Sequence, residues 1–176
     1  MENTLRSDAF LSAAMEAHGD TVYRLALCRL RAQADAEDVF QEVFLRLLRD
    51  TTDFQDAEHL KAWLIRVTIS RCNDLHRSAW FRRTAALDDC ADCAAPPPTE
   101  NDALWQAVAA LPARLRTAVH LHYVEGYSTD EIAALTGCRP ATVRTRLHRA
   151  RKQLKLDLEE CDDEIQFSEL AEQEST

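Results

Sequence analysis

Two adjacent stretches constrain this chain most. Ser128-Thr-Asp-Glu-Ile-Ala-Ala-Leu-Thr-Gly137 reads as a short helix. Ser128 can cap its start, Glu131 sits where a capping-box acid belongs, and Gly137 can end it in a left-handed conformation. Next comes Arg139-Pro-Ala-Thr-Val-Arg-Thr-Arg-Leu-His-Arg-Ala-Arg-Lys-Gln-Leu154. Its apolar residues Val143, Leu147, Ala150 and Leu154 recur at helical spacing, so one narrow face docks. The other faces carry Arg144, Arg146, Arg149, Arg151 and Lys152, and no acid occurs between Arg139 and Leu156. A short helix, a Gly-containing turn and a basic second helix form a helix-turn-helix pattern. The alternative is a solvated charged helix at the end of a bundle, but such helices usually mix both signs.

The net charge of −9 looks unsuited to nucleic acid until it is divided along the chain. Nine acids lie between Asp157 and Thr176 (157, 159, 160, 162, 163, 164, 169, 172 and 174), without Lys or Arg. That tail equals the whole net charge. From Asn101 to Leu156 there are nine Lys and Arg against four acids, a local +5. The local charge is the informative quantity.

With only three glycines and five prolines in 176 residues, and no strand-like alternation, the chain should be all-α. No apolar run reaches membrane-span length, and the N-terminus lacks a signal-peptide core. A cytoplasmic protein without membrane insertion is expected, with its six cysteines reduced.

Apolar spacing predicts a helix from Ser7 to His18, a break at Gly19-Asp20, and a helix from Thr21 to Arg31 that includes Val22, Leu25, Ala26 and Arg29. A third helix runs from Ala34 to Leu48. Ala36, Val39, Phe40, Val43, Phe44 and Leu47 share its core face. Asp38, Gln41 and Glu42 share the opposite face, with Leu45 among them. A leucine centred in an acidic patch fits a protein-binding surface, or a singly exposed leucine of no consequence.

After a break at Asp53-Phe-Gln-Asp56, with Asp56 as cap, a long helix covers Ala57 to Ser78. Leu60, Trp63, Leu64, Val67 and Leu75 form one apolar side; Ile65, Ile69 and Cys72 form another. A helix apolar on two sides is expected between two neighbours. What remains is a thin polar stripe, Arg66, Ser70, Asn73 and Arg77, basic at both ends. It suits a nucleic-acid strand or an ordinary solvated edge. Arg71 and Asp74 lie toward the buried side as a candidate structural pair.

Residues 85–99 change texture to alanines, acids and three consecutive prolines, which indicates a flexible, non-helical linker. The expected organisation is therefore two small helical domains, 1–84 and 100–156, then an acidic tail, 157–176. Within the linker Cys90 and Cys93 have zinc or redox spacing, but one pair supplies two of four zinc ligands. No metal and no cofactor are expected. The second domain opens with helices at Glu100–Ala110 and Pro112–Gly126. Cys138 fills the hydrophobic turn position as packing, and His120 and His122, two apart, do not share a helix face.

Taken together, Ser7 to Leu156 resembles the extracytoplasmic function (ECF) branch of the bacterial sigma-70 family. Asp35-Ala-Glu-Asp-Val-Phe-Gln-Glu-Val-Phe44 is similar to the family's region 2.2. Ala62-Trp-Leu-Ile-Arg-Val67, with Asp74 and Arg77, is similar to regions 2.3 and 2.4. Leu111-Pro, Arg116, Gly126, Glu131-Ile-Ala133, Gly137, Thr142-Val143 and Arg146-Leu-His-Arg-Ala-Arg151 are similar to region 4, a helix-turn-helix (winged-helix-like) domain.

The resemblance implies a specificity subunit of RNA polymerase, not an enzyme, acting in transcription initiation. Asp38, Gln41, Glu42 and Leu45 would then contact the clamp coiled coil of the largest polymerase subunit, and the second domain the flap region. Arg66, Ser70, Asn73 and Arg77, with the Phe54 loop, would hold the opened minus-ten strand of promoter DNA. Arg139, Thr142 and Thr145 would face base edges of the minus-thirty-five element, and Arg144, Arg146 and Arg149 its phosphates. An anti-sigma factor is implied by the same analogy.

Two positions depart from the family pattern. Ser70 stands where Asn is frequent, and Arg139 stands where Ser often caps the recognition helix, losing about 1 kcal/mol of capping. The competing readings are a stand-alone helix-turn-helix regulator and a zinc or redox protein resting on Cys90 and Cys93. For the tail the alternatives are a disordered solubilising segment, a binding site for another protein, and intramolecular docking through Ile165, Phe167 and Leu170 while its acids compete with DNA.

Overall fold

The computed structural model describes residues 5–85 and 102–155. The linker with Cys90 and Cys93, the aromatic pair Trp80-Phe81 and the acidic tail lie outside what is described of backbone or side chains. Among the described residues the secondary structure is wholly helical. We number the helices α1 (Asp8–Leu30), α2 (Gln33–Arg49), α3 (Ala57–Ala85), α4 (Asp102–Ala110), α5 (Ala113–Val119), α6 (Thr129–Thr136) and α7 (140–155). A π-helical turn, His120–Val124, extends α5.

α1 corrects one expectation. It runs unbroken through Gly19-Asp20, from the Ser7 cap to Arg31, whose left-handed backbone (φ 59°) ends it. Gly19 is buried, and a Cβ there would lie 3.5 Å from the Phe40 ring. The glycine therefore marks the approach of α1 to α2. One glycine costs a helix only about 1 kcal/mol, which packing offsets. α3 likewise outruns its expected end at Ser78 and continues to Ala85. Asp56 caps it as expected, accepting from the His59 N–H at 2.7 Å.

Two hydrophobic clusters hold the molecule. The first joins α1, α2 and α3 through Val22, Ala26, Val39, Val43, Leu47, Leu60 and Leu64. Cys72 belongs here, not with Ile65 and Ile69. The second cluster crosses between the two halves of the chain. Leu25, Ile65 and Ile69 from the first half pack with Ala118, Leu121, Ile132, Leu135, Val143 and Leu147 from the second. This explains the two apolar sides of α3: the second side is covered by the helix-turn-helix half. Each fully buried Leu or Ile contributes roughly 1.5–3 kcal/mol, so the three side chains from the first half make the contact between the halves substantial.

Candidate nucleic-acid and protein interfaces

On α2, Asp38, Gln41, Glu42 and Leu45 all point outward, and Leu45 is 49% exposed. Glu42 is fixed from the neighbouring helix: Arg71 of α3 donates to it through Nε at 2.8 Å and also through Nη2. Arg71 reaches Asp74 as well, at 3.4 Å. Hydrogen bonding to Glu42 pushes the Arg71 guanidinium pKa up. The outcome is an acidic rim around an exposed leucine on a rigid helix.

Along α3, Arg66, Ser70, Asn73 and Arg77 are exposed in one line. Asn73 is oriented by α1, accepting from Arg29 Nη2 at 2.7 Å. Arg77 meets Asp74 at 3.4 Å. The Phe54 ring is packed: it stacks on Phe10, meets His59 and Trp63 edge-on, and lies 4.7 Å from the Arg6 guanidinium. Its loop is tied down by Arg6 donating to the Thr52 carbonyl and by Thr52 N–H donating to Asp50 at 2.8 Å.

The helix-turn-helix is built by local chemistry. The Ser128 hydroxyl accepts from the Glu131 N–H at 3.3 Å, and the Glu131 carboxylate accepts from the Ser128 N–H at 2.8 Å. This reciprocal cap starts α6. The Ser128 N–H and the Ser128 hydroxyl, the latter at 2.7 Å, both donate to the Glu131 carboxylate and pull its pKa down. Gly137, at φ 65°, closes α6 and turns the chain. Val143, Leu147 and Ala150 are buried, which fixes the rotation of α7. Arg139, Arg144, Thr145 and Arg149 are then exposed, whereas Thr142 and Arg146 are half-buried. Arg146 lies apart from the other α7 arginines: its Nη1 sits 3.7 Å from Cys138 Sγ, beside the cleft facing α3. The Thr145 hydroxyl donates to the Ala141 carbonyl at 2.9 Å, so its remaining lone pairs are what it presents outward. Arg139 supplies no side-chain cap; its carbonyl accepts from Thr142 N–H at 2.9 Å.

Buried polar groups whose partners no sequence pattern named join the halves. Arg116 of α5 donates to the Cys28 carbonyl at 2.7 Å and the Arg29 carbonyl at 3.0 Å, at the end of α1. It also donates to the carbonyls of Ala109, at 3.1 Å, and of Leu111. One guanidinium thus satisfies the carbonyl ends of two helices, where their dipoles favour a cation. Arg29 returns the contact by donating to the Thr117 hydroxyl. At the other edge Lys61 of α3 pairs with Glu125 at 3.1 Å, and Thr21 donates to the same carboxylate at 3.4 Å. The Glu125 carboxyl is held down at about 2, by His120 and then by Lys61, against the opposing effect of burial. His120 stands 3.7 Å away, beyond hydrogen-bond reach, so the closer lysine is the firmer partner. Arg29 carried the available sequence signal, a charge on an otherwise apolar helical stripe.

Among the described residues no group of three or more His, Cys, Asp or Glu is placed to hold a metal ion. None of the described helices is long and apolar enough to cross a membrane.

An acidic-apolar helix face, a polar stripe on a long helix and a helix-turn-helix in one chain define a class of helical protein with the surfaces of a DNA-binding factor. Comparison with known proteins narrows this. Residues 14–82 match the family model for sigma-70 region 2, and residues 101–154 that for sigma-70 region 4. The ECF RNA polymerase sigma factor SigL of Mycobacterium tuberculosis is 34% identical over 160 residues, covering 86% of this chain and 90% of the relative. The ECF RNA polymerase sigma factor SigE of Mycolicibacterium smegmatis is 37% identical over 148 residues, 78% of this chain, and the match spans 57% of SigE. Among solved structures, the sigma factor RpoE in complex with the anti-sigma factor NepR from Bartonella quintana aligns with TM-score 0.74 at 21% identity, over 84% of this chain and 96% of that one. CnrH in complex with the cytosolic domain of CnrY aligns with TM-score 0.61 at 21% identity, over 87% and 90%. At such identity these two likenesses speak for the fold. The chain belongs to the ECF branch of the sigma-70 family of RNA polymerase sigma factors, which is not an enzyme class.

Proposed function

We propose that this chain directs core RNA polymerase to specific promoters and assists their opening, in the cytoplasm. Residues 1–84 act as region 2, with Asp38, Gln41, Glu42 and Leu45 on the clamp coiled coil of the largest polymerase subunit. Arg66, Ser70, Asn73 and Arg77 line the path of the minus-ten strand. Phe54 contributes through the shape of its anchored loop rather than through a free ring. Residues 100–156 act as region 4, near the polymerase flap, with α7 in the major groove of the minus-thirty-five element. There Arg139, Thr142 and Thr145 face bases, and Arg144, Arg146 and Arg149 face phosphates. Residues 85–99 tether the two. The observation that carries this reading is the exposed Asp38–Leu45 face in the same chain as the helix-turn-helix: a repressor needs only the second.

The packed arrangement is a closed form. The two promoter elements lie about 25 base pairs apart, roughly 85 Å at ~3.4 Å per pair. A compact chain of this length has a radius of gyration of only ~16 Å. Both elements are engaged only after the halves separate along the Leu25–Ile65–Ile69 contact. An anti-sigma factor that holds the halves together fits this behaviour, and the structural relatives in complex with NepR and CnrY support that expectation.

The test is reconstitution with core polymerase. Co-elution, and initiation from a cognate promoter, are expected; Leu45→Glu should weaken core binding at least tenfold without changing the affinity for duplex minus-thirty-five DNA. Absence of any association with core at low salt overturns the proposal.

A further inference from the structure

Between α3 and the helix-turn-helix lies a cleft of about 590 Å³ with walls from both halves. α3 contributes Asn73, His76 and Arg77, α5 contributes Arg114, α7 contributes Arg146, and Arg29 of α1 lies at its base. No acidic residue lines it. Arg29 is 5% exposed, is hydrogen-bonded to the neutral oxygens of Thr117 and Asn73, and keeps its Nε buried without a partner. Among the described residues no carboxylate stands within ion-pair distance of Arg29, Arg114 or Arg146. Burial lowers the Arg29 pKa, an effect that the neighbouring Cys72 and Cys28 oppose and that the positive charge of Arg146 reinforces weakly. Of these cations Arg29 is the enclosed one, while Arg114 and Arg146 are more exposed and Arg77 is paired with Asp74; a buried cation without a counter-charge is costly, and an anion entering the cleft relieves that cost.

We propose that the acidic segment Asp157–Glu174 of this same chain docks in this cleft and staples the two halves together. Its nine carboxylates with no Lys or Arg complement the cationic lining. Ile165, Phe167 and Leu170, set among those acids, suit the apolar wall that Ile69 gives the cleft. The segment begins directly after α7. From Arg146 to residue 155 that helix advances ~14 Å, and ten extended residues cover ~33 Å, so Ile165 and Phe167 reach back to the cleft. The volume falls within the range of ~300–1,000 Å³ typical of small-ligand sites, which admits a short peptide segment and not a duplex. Because the segment touches α3 and the helix-turn-helix at once, its docking opposes separation of the halves and covers Asn73, Arg77 and Arg146. Covalent linkage gives it a high effective concentration, while dependence on charge makes the contact sensitive to salt.

The experiment is photo-cross-linking in the full chain, with benzoylphenylalanine placed at Phe167. Intrachain adducts are expected within 69–77, 114–117 and 136–146. They should fall at least tenfold at about 1 M salt, where the screening length is ~3 Å. Arg114→Glu, an exposed site, should reduce them similarly, and Arg114→Lys should retain them. Adducts confined to other surfaces, adducts only between chains, or adducts indifferent to salt and to Arg114→Glu overturn the proposal. This readout uses neither polymerase nor promoter, so it fails or succeeds independently of the sigma-factor reading. As a second measure, truncation after Leu156 should raise affinity for duplex DNA five- to tenfold at low salt; unchanged affinity together with absent adducts also rejects it.

Discussion

Glu125 shows how single residues set the strength of the closed form. Its carboxylate comes from the second half, yet Lys61 and Thr21 of the first half hold it. Its folded pKa of about 2 lies below the ordinary 4.5. A depressed carboxyl stabilises the folded form fully above its unfolded value. That contribution fades as pH falls from about 4.5 through about 2. Part of the interaction is screened by solvent, so we expect Glu125→Gln to weaken the closed form by about 1–2 kcal/mol near neutrality. The difference between variant and parent should vanish toward pH 2. Denaturant unfolding at a series of pH values checks both statements; a difference independent of pH between 5 and 2 would contradict them. Nothing local in the sequence marks Glu125, because its partners are 64 and 104 residues away in the chain. Arg29 is a different case: its place on the Val22–Leu25–Ala26 stripe is visible in the sequence, but neither its burial nor its partner Thr117, 88 residues on, follows from any periodicity.

Elements were legible where their signals are local. The Ser128–Glu131 capping box and the Gly137 stop lie within ten residues and appear as read. The α3 polar stripe is exposed as its 4-3-4 spacing demands. Gly19 misled because glycine serves both as a helix breaker and as a packing notch, and only the position of Phe40 decides between them. Since a Cβ would meet that ring at an ordinary 3.5 Å, Gly19→Ala should stabilise the protein by about 0.5–1 kcal/mol, read as a rise in denaturation midpoint. A fall would mean that α1 and α2 tolerate no added methyl. At the start of α7, Arg139 presents no cap oxygen, and Pro140 already suits the first helical turn. Arg139→Ser restores an acceptor for the orphan N–H groups and should add about 1 kcal/mol of stability. It also removes a guanidinium from the proposed DNA face, so affinity for the minus-thirty-five element should fall by a similar energy, about fivefold. Chemical denaturation and DNA titration on the same variant separate the two effects. Greater stability with unchanged DNA affinity would move Arg139 off the interface.

At the scale of the whole molecule, the organisation depends on one hydrophobic contact between halves that sequence texture separates. Composition leads one to expect a boundary at residues 85–99, and the two-sided apolarity of α3 implies a second neighbour. Which neighbour is not legible, because burial periodicity names a face and never its partner. Ile69 makes the point testable. It is 7% exposed, lies in the cluster shared with Leu121, Ile132 and Val143 and edges the cleft lined by Arg29, Arg77, Arg114 and Arg146, so a cation there meets no counter-charge. Ile69→Lys should cost several kcal/mol in the closed form while the first cluster, which lacks Ile69, keeps α1, α2 and α3 together. Small-angle scattering should then report a radius of gyration well above the ~16 Å of one compact body. Helix content should stay near that of the parent, because each half retains its own buried stripe. The ammonium also lies next to Ser70 on α3, so a DNA measurement on this variant would mix opening with attraction. Ile69→Ser, which weakens the same contact without charge, isolates the opening. If both variants remain compact, the polar clasp of Arg116, Arg29 and Lys61–Glu125 carries the closure, and the hydrophobic cluster is not what polymerase must overcome.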